Sequence, residues 1–71
     1  MINKFAERLR ELRIEKGLKQ SDVAQELGLS SSAIAKYEQG KNEPCLDLVI
    51  KTAEFFEVTT DYILGVDKSF I

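Results

Sequence analysis

Residues 20–40, QSDVAQELGLSSSAIAKYEQG, set the terms for the whole chain. Two apolar stretches at helical spacing, Val23-Ala24-Leu27 and Ile34-Tyr37, flank Gly28-Leu29-Ser30, which is too short for a loop. The two helices must therefore cross sharply. Such a corner needs a small residue where the helices touch and a residue that tolerates positive φ at the bend. Ala24 and Gly28 supply both, four residues apart. Val23, Leu27, Leu29, Ile34 and Tyr37 then fall where the pair must bury its inner face. The spacing is that of a helix-turn-helix over about residues 20–39. An αα-corner in an ordinary small bundle would satisfy the same sterics.

Apolar residues keep a helical period outward from this corner, and no stretch alternates as a half-buried strand would. Upstream, Asn3 is placed to cap a helix with the face Phe5, Ala6, Leu9 and Leu12; Gly17 stops it, and Leu18 can close the helix end. The second helix runs from Gln20 to Leu27. Ser30 caps the third, which continues through about Glu38 and stops at Gly40. Downstream, a fourth helix follows Pro44 with Leu46, Val49, Ile50, Ala53 and Phe56 on its expected core stripe. Thr59 caps a short fifth helix through Tyr62, Ile63 and Leu64, closed by Gly65. The predicted architecture is all-α: a compact five-helix domain over residues 1–65, with 66–71 as a short tail.

Seventy-one residues hold one small core and no second domain. No apolar run reaches the roughly 18 residues of a membrane span. The opening Met1-Ile2-Asn3-Lys4 has no signal-peptide pattern. The single cysteine, Cys45, cannot pair within the chain, so a reducing cytoplasm is the expected location. There is no histidine. The commonest general base and metal ligand are thus missing, and neither catalysis nor a metal or cofactor is expected. A net charge of −2 argues against nucleic acid until its distribution is examined. Residues 1–41 carry eight Lys and Arg against six acids, whereas residues 42–71 carry two against six. Cellular salt screens exposed charges beyond about 8 Å, so a basic face could meet DNA while the acidic half points away. A mixed, solvated surface would show the same counts.

Leu9-Arg10-Glu11-Leu12-Arg13, Gly17-Leu18-Lys19-Gln20, Val23-Ala24, Leu27-Gly28 and Ile34 through Tyr37-Glu38-Gln39-Gly40-Lys41 form an ordered series. It continues with Pro44, Leu46, Ala53, Val58 and Asp61-Tyr62-Ile63-Leu64-Gly65. In order and spacing this series resembles the lambda-repressor-like helix-turn-helix family, of Cro/cI or XRE type, over about residues 4–65. The resemblance implies a five-helix domain that binds double-stranded operator DNA as a homodimer at a palindromic site and regulates transcription, most simply as a repressor. Phage repressors, restriction-modification controllers, antitoxins and chromosomal regulators share the pattern.

A major groove about 12 Å wide admits one helix with its N-terminal end toward the bases. With Ile34 and Tyr37 turned inward, Ser31, Ser32, Ala35 and Lys36 face out, and Ser30 stands at the entry. Serine hydroxyls read bases weakly; Lys36 can reach guanine O6 or N7, and Ala35 a thymine methyl. By position these match the family's base readers. Gln20 opens the second helix, whose free N–H groups and dipole attract phosphate, and the resemblance gives it a backbone-clamping role. Lys19, Lys41 and Asn42 can reach phosphates on either side. Lys19 stands where the family often has a Ser or Thr cap, and Asp22 is placed to compensate. Arg13 and Glu38 resemble a family ion pair that sets the angle of the recognition helix. As an exposed pair it would contribute at most about 1 kcal/mol, and so act on orientation. Glu57 replaces the glycine the family favours before Val58, which predicts strain at the end of the fourth helix.

One such helix reads only a few base pairs, so two half-sites about 34 Å apart are expected. Leu48, Phe55, Tyr62, Val66, Phe70 and Ile71 are the candidates for the dimer contact, against the simpler option that Phe55 and the tail fold back on their own core. A protein-interaction module on the same fold, such as an antitoxin with another protein as partner, is the alternative function. Substituting Lys36 and Ser31 separates the two.

Overall fold

The computed structural model describes residues 3–66. Among these lie five helices: α1 Phe5–Glu15, α2 Gln20–Leu27, α3 Ser31–Glu38, α4 Leu46–Phe56 and α5 Thr60–Leu64. Their ends follow from local chemistry. Asn3 Oδ1 accepts from the Phe5 N–H at 3.0 Å, so the side chain caps α1 from one position before the geometric cap, Lys4. At the other end of α1 the Gly17 and Leu18 N–H groups donate to the Ile14 and Arg13 carbonyls, both at 3.0 Å. This satisfies two carbonyls that α1 leaves without helical partners. Lys19 has no acceptor to offer α2; instead its own N–H donates to Asp22 Oδ2 at 2.9 Å. That is one half of a capping box and is how Asp22 compensates for the missing Ser or Thr. Ser30 and Thr59 cap α3 and α5, each hydroxyl oxygen accepting from an N–H three residues on. Cys45 precedes α4 and makes no capping bond.

One core joins all five helices: Phe5, Leu9 and Leu12 from α1, Val23, Ala24 and Leu27 from α2, Ile34 from α3, Leu48, Val49, Ala53 and Phe56 from α4, and Ile63 from α5. Leu18, Leu29, Tyr37, Phe55, Val58 and Leu64 pack against it. The face of α4 differs from the sequence expectation. Leu46 is 72% exposed and Ile50 39%, whereas Leu48 is buried at 7% and Thr52 at 0%. Leu48, Val49, Thr52, Ala53 and Phe56 form one stripe at i, i+1, i+4, i+5 and i+8. A threonine in that stripe disguised it. Its cost is removed locally, because the Thr52 hydroxyl donates to the Leu48 carbonyl at 2.6 Å, one turn back.

Glu57 ends α4 at φ 57°, the one positive φ among the described non-glycine residues. The left-handed region costs an ordinary L-residue about 1 kcal/mol or more. Glu57→Gly is therefore expected to stabilise the chain by about 1 kcal/mol and raise its melting temperature by several degrees. A thermal melt checks this; an unchanged or lower midpoint would show that the bend carries no strain.

The two ends of the domain meet beside α5. The Lys4 N–H donates to the Leu64 carbonyl at 3.0 Å. A Cβ on Gly65 would stand 2.8 Å from the Lys4 side chain, so glycine here serves close approach as well as its positive φ.

Candidate nucleic-acid interface

The corner between α2 and α3 is built as the sequence requires. Gly28 has φ 69°, and a Cβ there would meet nothing within 4 Å, so backbone conformation rather than space calls for glycine. The Leu29 N–H reaches back to the Ala24 carbonyl at 2.8 Å. Ala24, 2% exposed, sits beneath the crossing.

Two side chains pin the inner face of α3. Ile34 is 1% exposed. The half-buried Tyr37 ring meets Phe5 of α1 edge-on, with centroids 6.2 Å apart at 79°. The opposite face carries Ser31, Ser32 and Lys36 exposed and Ala35 half-buried. Ser30 Oγ accepts from the Ala33 N–H at 3.1 Å and lies 3.1 Å from Ser32 Oγ. Whichever of those two hydroxyls donates to the other, the pair keeps one O–H to offer outward. The Ser31 hydroxyl forms no hydrogen bond within the described residues. Lys19, Lys41 and Asn42 are exposed. The first turn of α2 leaves the Gln20 and Ser21 N–H groups without helical acceptors.

The ion pair Arg13–Glu38 forms, but it is not the exposed pair expected from the sequence. Its side chains are 15% and 4% exposed. Arg13 Nε and Nη2 donate to the two Glu38 carboxylate oxygens at 2.6 and 3.1 Å, and Nη1 donates to the Leu18 carbonyl at 3.0 Å. The pair joins α1 to the last residue of α3, two helices that pack together. The hydrogen bond to Glu38, with its charge, holds the Arg13 guanidinium above its ordinary pKa against the opposing effect of burial. One contact had no signal in the sequence: Gln20 Nε2 donates to Glu38 Oε1 at 3.2 Å. No spacing rule joins residues 18 apart, although the resemblance singles out each of them separately.

The expected dimer residues do not form one exposed patch. Leu48 is buried in the core, which removes it from that set. Phe55 is half-buried, edge-on to Phe56 with centroids 4.9 Å apart. Tyr62 and Val66 are exposed at 42% and 46%, and the Arg8 guanidinium lies 4.5 Å from the Tyr62 ring centroid. Phe70 and Ile71 fall outside the described residues. No helix among the described residues is long and apolar enough to cross a membrane.

The model of a protein family described as helix-turn-helix, HTH_3, matches residues 9–63. The chain is 32% identical over 64 residues to the HTH-type transcriptional regulator ImmR of Bacillus subtilis, spanning 90% of this chain and 50% of that protein. The crystal structure of the P22 c2 repressor in complex with a synthetic operator is similar, with TM-score 0.81 and 25% identity over 89% of this chain and 96% of that one. The restriction-modification controller protein C.AhdI of Aeromonas hydrophila has TM-score 0.78 and 34% identity over 87% of this chain and 94% of that one. The chain spans about half the length of curated relatives such as ImmR and the prophage-derived regulator YonR of Bacillus subtilis.

Proposed function

The chain belongs to the helix-turn-helix family HTH_3, and from that premise we propose that it is a sequence-specific DNA-binding transcriptional regulator, acting as a repressor. The observation that carries the proposal is the outward face of α3. A helix pinned through Ile34 and Tyr37 presents Ser31, Ser32, Ala35 and Lys36 away from the core, on the element that a major groove admits. The P22 c2 repressor, similar over most of this chain, is bound to an operator in its crystal structure.

In this reading Lys36 donates to guanine O6 or N7, and Ala35 lies against a thymine methyl. The Ser30–Ser32 hydroxyl pair and Ser31 supply short, adaptable contacts near the entry of the helix. Lys19, Lys41 and Asn42 reach phosphates on either side of the groove, and Gln20 joins them at the start of α2. Two copies related by a two-fold axis place two α3 helices in successive major grooves of a palindromic operator, with Tyr62 and Val66 as exposed candidates for their contact.

Lys36→Ala is expected to reduce discrimination for the preferred duplex by about 1–3 kcal/mol. Binding to random DNA should weaken far less, and the melting temperature should stay unchanged, since Lys36 is exposed. Fluorescence anisotropy on both duplexes checks this. Equal losses on the two would make Lys36 a phosphate contact, and no loss on either would remove it from the interface.

A further inference from the structure

We infer that Glu38 is a positioning residue for DNA binding, which holds the Gln20 amide donor-side out toward a phosphate and makes the start of α2 and the recognition helix a single rigid reader. The inference rests on the proposed reading of this corner as a DNA interface. Its basis is the hydrogen-bond network. The Glu38 side chain, 4% exposed, accepts from Arg13 Nε, Arg13 Nη2 and Gln20 Nε2. Arg13 is itself tied to the Leu18 carbonyl, two residues before Gln20. One network therefore joins α1, the link into α2, the first residue of α2 and the last residue of α3.

The chemistry of the acceptor sets the orientation. A carboxylate only accepts, so it selects the NH2 end of the Gln20 amide and turns away the carbonyl. A primary amide has two N–H groups; one goes to Glu38, and the other has no acceptor within the described residues. That second N–H lies on the residue whose own backbone N–H, with that of Ser21, is free in the first turn of α2. Side-chain freedom that a loose glutamine would lose on meeting a phosphate is already lost on folding. A lone carboxylate beside DNA would repel the backbone. Arg13 cancels that charge, which lets Glu38 orient the amide without an electrostatic penalty.

Gln20→Ala and Glu38→Gln, singly and together, test this on a duplex selected from a random pool by the wild-type chain. Glutamine at position 38 could accept from Gln20 or donate to it, so the amide would no longer be held one way. Each single variant is expected to weaken binding about tenfold, and the double variant no more than Gln20→Ala alone. Methylphosphonate substitution, one phosphate at a time, gives the second readout. The wild type should lose affinity at one phosphate to which both single variants have become indifferent. If Glu38 only supported the fold, its variant would weaken every position alike and keep that sensitivity. Should Glu38→Gln fail to fold, Arg13→Gln with Glu38→Gln removes both charges together and is read in the same way. Independent effects with an unaltered phosphate profile would overturn the inference alone. A wild-type chain that selects no duplex would instead overturn the reading beneath it.

Discussion

Arg13→Ala is expected to destabilise the chain by about 3 kcal/mol, at the lower end for a broken buried pair because the guanidinium keeps some solvent. The loss comes from what remains. Glu38, 4% exposed, would be left with only the Gln20 amide as a hydrogen-bond partner, and the Leu18 carbonyl would lose its donor. A small domain has little more than about 5 kcal/mol of stability, so most of its margin would go. The contribution of Arg13 does not vary near neutral pH. Its pKa is raised, so the stability is complete below the ordinary arginine value and is lost only as the pH climbs through the raised one, in strong alkali. Urea denaturation of Arg13→Ala beside Arg13→Met with Glu38→Leu separates the terms. The double variant should recover most of the loss, because it leaves no unpaired charge. A single-variant loss below about 1 kcal/mol would mean that the pair behaves as an exposed one.

Ser31→Glu is expected to move stability and DNA binding in opposite directions. Ser31 is the first residue of α3, exposed, and outside the hydrogen bonds that cap the helix. A carboxylate there meets the positive end of the helix dipole and should add up to about 1 kcal/mol of stability. The same charge would face the phosphates flanking the groove. Like charges brought together at an interface cost several kcal/mol, so operator affinity should fall by about 100-fold or more. A melt and a titration on one preparation give both numbers. A module that uses this fold to hold another protein elsewhere on its surface would show the first effect without the second.

The corner from Gln20 to Glu38 was legible because its constraints are local. A small residue, a left-handed turn and a serine cap each leave a residue type at a fixed offset, and α2 and α3 begin and end where those residues place them. Asp22 was legible for the same reason, since its bond spans three residues. The face of α4 was not, because a buried threonine that bonds its own preceding turn looks polar in a sequence and apolar in a core. In sequence, Leu48 consequently reads as a surface residue, and Leu46 and Ile50 as core, the reverse of their burial. In the candidate site the two ends of the ion pair were readable as residues, but not their burial, which α1 and α3 create only when packed. The Gln20–Glu38 bond lay further out of reach, as it needs three elements in register.

Whether this chain reads DNA sequence through α3 can be measured by selecting bound duplexes from a random pool. The selected and an unselected duplex are then titrated at two salt concentrations. One motif with two-fold symmetry should be enriched and bound at least about 1,000-fold more tightly than unselected DNA. Affinity for both duplexes should fall steeply as salt rises. No enriched motif, with equal and feeble binding to both duplexes, would contradict sequence reading through α3.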